Sequence, residues 1–202
     1  GAIGMGAGKL SLGEKPSDMP TKQAAAAVGQ CELMYTYDKL FSEHNHTVAQ
    51  LLITEPDMSN DYRHTNFRNT VIRLLELGVA TEEISVGDND TLSALVTVSV
   101  NADLLILLSD IDGLYTADPH KNKNAKLIPC VHEVTAALYD LAGSAGTKLG
   151  TGGMETKLRA AEICLKSGID MIIANGATPS LLYDITDGKS VGTLFTLKEE
   201  SK

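Results

Sequence analysis

The sequence predicts an α/β protein with a mostly parallel sheet, and three observations support that class. Short apolar runs alternate with longer segments of helical periodicity along the chain. The run "DLLILLSD" (103–110) is continuously apolar, which is typical of a strand buried on both faces of a parallel sheet. Polar, glycine-rich segments adjoin these runs, and ligands of such sheets bind beyond the carboxyl ends of the strands.

The first half of the chain predicts two long helices around a strand. An Ala-rich segment, 19–45, has helical periodicity after a Pro/Thr start. The β-prone run 47–54 is closed by Glu55-Pro56, and a second helix over 59–79 stops near Gly78. Ahead of them, "GAIGMGAG" is rich in glycine and follows no strand, so we expect a flexible tail or the remainder of a lost beginning.

The second half predicts alternating elements. We expect a helix after Gly87, capped by Asp88 or Asn89, then the strand 103–110 and a loop rich in Asp, Gly, Pro and Asn. After it we expect a helix over 154–167, a strand over 170–176 and a helix over 178–188. Since no repeat or linker interrupts the pattern, we expect one domain over 1–202.

Composition excludes several classes of function. The chain has 202 residues, 43% of them apolar, and a net charge of −9 without any Lys/Arg cluster, which argues against nucleic-acid or anionic-membrane partners. Its three cysteines form no CxxC pair, so neither a disulfide framework nor a zinc site is indicated. With no apolar run near the ~20 residues of a membrane span and no signal-peptide pattern, we expect a cytoplasmic protein.

The segment "GTGGMETK" (150–157) has the features of an anion site. It matches neither the Walker A pattern nor GxGxxG. Its glycines nevertheless let backbone N–H groups approach a ligand, and the helix that follows adds its positive dipole end. Lys157, one turn in, can place a charge on a transferring phosphoryl group. The alternative is a connecting loop with a solvated lysine.

Two further segments are more polar than their structure requires. "GDNDTLSA" (87–94) opens a helix with three polar residues where capping needs one: Asn89 could bind a small polar substrate, and Asp88 and Asp90 could bind an amino group or orient lysines. Plain N-capping is the alternative. "SDIDGLYTADP" (109–119) follows the apolar strand directly, where α/β proteins bind ligands, although Asp and Gly also make ordinary turns.

Together, these segments resemble the glutamate 5-kinase branch of the amino acid kinase family. The similarity runs through "KQAAAAVGQ", "RNT", "GDNDTLSA", "LLSDIDGLYTADP" and "KLGTGGMETK", in that order. It implies a three-layer αβα sandwich around a mostly parallel eight-stranded sheet. It also implies transfer of the γ-phosphoryl group of ATP, with Mg²⁺, to the side-chain carboxylate of L-glutamate, which gives γ-glutamyl phosphate in the first step of proline biosynthesis.

The resemblance assigns roles to individual residues. Lys157 would stabilise the transition state and Asp90 would orient the catalytic lysines. Asn89 and Asp88 would hold glutamate, and Gly1 matches the first glycine of a loop that contacts it. The nucleotide site would comprise Ser109, Asp110, Thr151, Gly152, Gly153, Met154, Glu155, Thr156 and Lys157.

The chain departs from the family pattern in two places. It starts at "GAIG", after the position of the family's first strand and its glycine loop with a second catalytic lysine, and "LELGV" passes directly to "ATEEIS" near 79–81, where the family has a substrate-contacting segment. We therefore expect a kinase domain without these pieces and, in this chain, without a C-terminal PUA domain. Other expectations from the family are proline as feedback inhibitor and a homo-oligomer, dimer or tetramer.

Two alternatives stay open from the residues. One is a sister kinase acting on N-acetylglutamate, aspartate, carbamate or a nucleoside monophosphate. The other is a non-catalytic amino-acid-binding module, favoured if the segments named above are truly absent.

Overall fold

The computed structural model describes residues 1–14, 16–84, 89–119, 121–144 and 153–198. The chain divides into two compact units, Gly1–Ile53 with Thr65–Ile84, and Thr54–His64 with Ser85–Lys202. The first unit contains helices α1 (Ala2–Lys9) and α2 (Met19–Ser42), strands β1 (Val48–Leu52) and β2 (Ala80–Ile84), and most of helix α4 (Asp61–Glu76). The second contains α3 (Glu55–Ser59), α5 (Asn89–Ser99), β3 (Leu104–Ser109), β4 (Cys130–Val131), α6 (Ala136–Ser144), α7 (Met154–Lys166), β5 (Asp170–Asn175), α8 (Leu181–Thr186) and β6 (Thr193–Phe195).

The predicted α/β class with a mostly parallel sheet is confirmed. In the first unit β1 pairs in parallel with β2. In the second the strand order is β3-β5-β6-β4, with β3–β5 and β4–β6 parallel and β5–β6 antiparallel. The predicted helix over 154–167 and strands over 47–54, 103–110 and 170–176 are all found within two residues of their expected ends.

The glycine-rich start is helical, so the flexible tail, one of the two expected alternatives, is wrong. Helix α1 packs on α2 where two glycines face each other's backbone. A Cβ at Gly6 would lie 1.7 Å from the Ala25 carbonyl oxygen, and one at Gly29 would lie 1.8 Å from that of Ala2. The close approach of the two helices offsets the ~1 kcal/mol that each helical glycine costs.

Three other boundaries differ from the sequence prediction. Helix α2 begins where expected, with Asp18 accepting a hydrogen bond from the Thr21 N–H at 2.9 Å, but ends at Ser42. Glu55-Pro56 does not simply close β1; it starts α3, behind a capping box formed by Thr54 and Asp57. The expected helix 59–79 therefore begins at Asp61, and it ends before Gly78, which has φ +70°.

Strand β5, not β3, is the buried strand of the second unit. Within the described residues of this unit, β3 has one neighbouring strand while β5 has two. Leu107 is the buried residue of β3, and Leu108 is 46% exposed, so the expectation of burial on both faces is wrong for this strand. Met171, Ile173 and Ala174 of β5 are fully buried. Met171 and Ile173 form core with α7 and β6, and Ala174 packs in a second cluster with Ile185 of α8.

Candidate active site

Two helix–strand reversals bring the predicted site segments to one edge of the second unit. Asn101 (φ +52°) turns the chain between α5 and β3, and Gly168 (φ +72°) turns it between α7 and β5. Each helix therefore runs back along its strand, and its first turn lies at the strand's carboxyl end. Since β3 and β5 are parallel, the first turns of α5 and α7 and the carboxyl ends of both strands share one edge of the sheet.

The first turns of α5 and α7 are joined through Asp90. The Lys157 ammonium nitrogen lies 3.0 Å from Asp90 Oδ2, and the two side chains are only 12% and 18% exposed. Thr156 Oγ1 lies 2.7 Å from the same oxygen and also 2.7 Å from the Gly153 carbonyl oxygen. A hydroxyl has one proton, so it donates to one of these acceptors at a time.

The contact brings together residues 66 and 67 positions apart in the chain. A partly buried ion pair holds each charge in one place, because water competes with it less than at the surface. The carboxylate therefore fixes Lys157 at the first turn of α7. The N-cap residue of this helix is Gly153, which has no side chain with which to cap the first N–H groups. The helix end is suited to an anionic ligand.

A second polar group occupies the carboxyl ends of β3 and β5. Asn175, the last residue of β5, donates from its side-chain amide to Asp112 Oδ1 at 2.8 Å, and the Tyr115 hydroxyl donates to Asp112 Oδ2 at 2.8 Å. Ser109 donates its hydroxyl to Asp110 Oδ1 at 3.1 Å, and its carbonyl accepts from the Gly176 N–H at 2.8 Å. These bonds hold the loop after β3 against the end of β5.

The pKa of Asp112 is lowered below its ordinary value. The hydrogen bond from Asn175 contributes most and that from Tyr115 contributes next, since both stabilise the ionised carboxylate. The same contact raises the pKa of Tyr115, because its hydroxyl proton is held by the carboxylate. The loop after β3 is thus organised around a permanent negative charge at neutral pH.

Buried contacts fix the other side of this loop. The Thr193 side chain is fully buried; its hydroxyl accepts from the Leu114 N–H at 2.8 Å and donates to the Ile128 carbonyl oxygen at 2.7 Å. A Cβ at Gly113 would lie 2.5 Å from the Thr193 hydroxyl, so only glycine fits there without a shift. Leu114 is 2% exposed and anchors the loop in the core.

The structure places the predicted site residues as follows. Asn89 is the exposed first residue of α5, Asp90 follows it, Ser109 ends β3, and Asp110 is exposed beyond it. Gly153, Met154, Glu155, Thr156 and Lys157 form the start of α7. Gly1 precedes α1 in the first unit. Asp88, Thr151 and Gly152 lie outside the described residues.

The sequence prediction missed the role of Asn175 and left Asp112 and Tyr115 without individual roles. A polar residue at the end of the apolar run "DMIIAN" was a usable signal for Asn175, because such a residue stands where α/β sheets bind ligands. The pairing of Asp112 with Asn175 spans 63 residues and depends on the β3–β5 register, which the sequence does not reveal.

Neither a metal cluster nor a membrane helix is found in the part of the chain that the structure describes. Within those ranges no three His, Cys, Asp or Glu side chains are grouped so as to hold a metal ion. None of the described helices has the length and apolar character to cross a membrane.

The chain matches proteins of one family along most of its length. The amino acid kinase family model matches residues 3–175. The chain is 52% identical over 205 residues to the glutamate 5-kinase of Clostridium tetani, a match that covers 96% of this chain and 77% of that protein. It is also 52% identical over 210 residues to the glutamate 5-kinase of Clostridium acetobutylicum, covering 99% of this chain and 79% of that protein.

Solved structures show the same fold at low identity. The uridylate kinase of Archaeoglobus fulgidus has a TM-score of 0.61 at 19% identity, over 96% of this chain and 79% of that one. The isopentenyl phosphate kinase of T. acidophilum has a TM-score of 0.55 at 15% identity, over 95% of this chain and 78% of that one. At these identities the likeness establishes the fold, and the predicted αβα class is confirmed.

Proposed function

Because the chain belongs to the amino acid kinase family, in its glutamate 5-kinase branch, we propose that it transfers the γ-phosphoryl group of ATP to the side-chain carboxylate of L-glutamate. A carboxylate oxygen forms a bond to the γ-phosphorus while the bond from that phosphorus to the β–γ bridging oxygen breaks. The products are γ-glutamyl phosphate and ADP, and proline biosynthesis begins with this step.

The Lys157–Asp90 pair is the observation that carries the proposal at the level of residues. Phosphoryl transfer depends mostly on positioning and on neutralising charge, so a fixed cation at a helix N-terminus is the feature that the reaction needs. Asp90 holds the ammonium group at 3.0 Å, and the Thr156 hydroxyl lies 2.7 Å from the same carboxylate oxygen. We assign Lys157 to the transferring phosphoryl group and Asp90 to the orientation of that lysine.

The nucleotide would occupy the edge formed by α7 and the loop after β3. The first N–H groups of α7 would face the phosphates, ahead of those of Thr156 and Lys157, which donate to the Gly153 carbonyl oxygen. Gly153–Lys157 would form this part of the nucleotide site together with Thr151 and Gly152. Ser109 and Asp110 would contact the nucleotide from the carboxyl end of β3. Mg²⁺ would enter with the nucleotide and supply positive charge that neutralises part of the phosphate charge; we assign no protein ligand to it.

Glutamate would lie at the start of α5. Asn89 is exposed there, beside the Asp90 contact, and its amide can hydrogen-bond a polar substrate. Asp88 would bind the substrate's amino group, and the assignment of Gly1, which precedes α1 in the first unit, rests on the family resemblance alone. The attacking carboxylate is already ionised at neutral pH, because its ordinary pKa is ~4.3, so the reaction needs no general base.

Trapping of the acyl phosphate tests the proposed reaction. The protein is incubated with ATP, Mg²⁺ and hydroxylamine in three separate reactions, one with glutamate, one with N-acetylglutamate and one with aspartate. Hydroxamate and ADP are measured in each reaction. We expect hydroxamate with glutamate at a rate at least tenfold above that with the other acids. Faster reaction with N-acetylglutamate or aspartate would assign a sister kinase, and no product with any acid would leave an amino-acid-binding module.

Two expectations about partners go with the proposal. We expect proline to inhibit the reaction and the chain to form a dimer or tetramer, as the resemblance to glutamate 5-kinases implies. Initial rates at increasing proline test the first. Sedimentation velocity tests the second, and a monomer at micromolar concentration would contradict it.

A further inference from the structure

A cysteine and a histidine meet at the end of strand β4. Cys130 lies in the strand, His132 follows it directly in a bend, and their side chains are in contact. The Cys130 Sγ lies 3.7 Å from His132 Nε2, within reach of a hydrogen bond to sulfur. Cys130 is partly exposed and His132 is exposed, so small solutes can reach the pair.

The backbone fixes which histidine nitrogen acts as the base. His132 Nδ1 lies 2.9 Å from the Thr196 carbonyl oxygen, which can only accept a hydrogen bond. Nδ1 therefore carries the proton in the neutral ring, and the Nε2 lone pair faces the thiol. The imidazole is oriented to accept the thiol proton.

The strand that carries Cys130 is held firmly in the sheet. Cys130 pairs in parallel register with Leu194, and Val131 with Phe195. Val131 and Phe195 are 7% and 0% exposed, and the Thr196 N–H donates to the Val131 carbonyl oxygen at 3.1 Å. The acceptor of the histidine bond thus belongs to the same packed structure as the thiol, which keeps the geometry in place.

The other two cysteines have different surroundings. Cys31 is exposed on α2, and its thiol donates to the Ala27 carbonyl oxygen of its own helix at 3.8 Å. Cys164 is fully buried in α7, and burial raises the pKa of its thiol to about 11. They provide an exposed and a buried internal reference for Cys130.

We propose that Cys130 is a nucleophilic thiol, with His132 as its base, that exchanges with small disulfides. His132 Nε2 takes the thiol proton, and the thiolate attacks one sulfur of the disulfide. A bond forms between Cys130 Sγ and that sulfur, the original S–S bond breaks, and the departing thiolate takes up the proton. The product is a mixed disulfide on β4 and one small thiol. This inference does not depend on the proposed kinase function.

Site-resolved labelling of the folded protein tests the proposal. The protein is treated at pH 7 with limiting iodoacetamide, which is uncharged, and labelling of each cysteine is followed by peptide mass spectrometry; oxidised glutathione is used in a parallel series. An ordinary thiol is only ~3% ionised at pH 7, so a base that removes the proton can raise the rate of labelling by about tenfold. We expect Cys130 to react about tenfold faster than Cys31 despite its lower exposure, and to form the mixed disulfide first.

The variant His132→Asn removes the base while it can keep the hydrogen bond to the backbone. The asparagine amide can still donate to the Thr196 carbonyl, as Nδ1 does, but it offers no base to the thiol. We expect its Cys130 rate to fall to that of Cys31. Equal rates for Cys130 and Cys31 in the wild type, or an unchanged Cys130 rate in His132→Asn, would overturn the proposal. So would labelling of Cys164 as fast as Cys130, because reaction would then follow unfolding.

Discussion

The ammonium group of Lys157 and the carboxylate of Asp90 lie 3.0 Å apart, although the residues are 67 positions apart in the chain. The pair joins the first turns of α5 and α7, whose positive dipole ends meet at the sheet edge formed by β3 and β5. Each side chain is less than one fifth exposed. This pair connects the substrate segment to the nucleotide segment in the proposed reaction.

Replacing Asp90 by Asn is expected to reduce activity through Lys157. The amide keeps the size of the side chain but removes the charge that holds the ammonium group, so we expect kcat to fall about 10- to 100-fold. Steady-state hydroxamate formation measures this. The control is Asp184→Asn, which removes an exposed surface pair with Lys189 and should leave kcat within about twofold. Equal effects of the two variants would contradict the role of Asp90.

Thr156 is expected to support the same carboxylate through its hydroxyl. Thr156→Val keeps the shape and removes the donor at 2.7 Å from Asp90, so we expect kcat to fall about threefold to tenfold. Thr156→Ser restores the hydroxyl and should recover most of the rate. If Ser and Val lower kcat equally, the hydroxyl does not matter and packing of the methyl group explains the loss.

The Asp112 contacts are expected to make stability depend on pH. The pKa of Asp112 is lower in the folded state than in the unfolded chain, where it is near 3.8. The stabilisation by the ionised carboxylate is therefore fully present above the unfolded-state pKa and is lost as the pH falls through the folded-state pKa. Asp112→Asn should therefore be less stable than wild type at pH 6, and the difference in their free energies of unfolding should become smaller towards pH 3. Urea unfolding at several pH values measures it.

A thermodynamic cycle checks the cause of that dependence. In an Asn175→Ala background the main donor to Asp112 is gone. We therefore expect a smaller pH-dependent difference in free energy of unfolding between Asp and Asn at position 112. A gap of the same size in both backgrounds would assign the effect to another neighbour.

Gly192 is expected to be among the glycines that the fold needs most. It has φ +68°, and a Cβ there would lie 2.0 Å from the Ile173 carbonyl oxygen of β5. Gly192→Ala should lower the free energy of unfolding by at least ~3 kcal/mol, since the left-handed backbone alone costs ~1–2 kcal/mol and a clash adds to it. Gly188 has φ +75° with open space around its Cβ position, so Gly188→Ala should cost only the ~1–2 kcal/mol. Similar losses for both would show that the strand relaxes around the methyl group.

The sequence predicts the elements better than the contacts between them. Periodicity placed α7 and β5 almost to the residue, because both are regular segments bounded by clear turns. It missed α1, since a run of glycines has low helix propensity and only the contact of Gly6 and Gly29 with backbone explains the helix. Hydrophobicity alone could not show that β3 has one neighbouring strand within its described unit.

The sequence predicted which segments form the candidate site, and the structure adds the side-chain contacts between them. The sequence identified the segments that hold Asp90, Ser109 and Lys157, because each combines polar or glycine residues with a position at an element end. That Thr156 shares Asp90 with the lysine, or that Asn175 binds Asp112, depends on register and on how α5 packs against α7. Such pairings arise from tertiary structure and leave little trace in local composition.

The most direct test compares two lysines of the same helix. Lys157→Met and Lys166→Met are measured for glutamate-dependent hydroxamate formation at saturating ATP, with the KM for glutamate determined for each. Lys166 is an exposed residue of α7 paired with Glu162, so its loss should leave kcat within about twofold of wild type. We expect Lys157→Met to lose about a thousandfold in kcat with KM for glutamate changed less than about threefold. A kcat within about tenfold of wild type in Lys157→Met would contradict the assignment of this lysine to the transferring phosphoryl group.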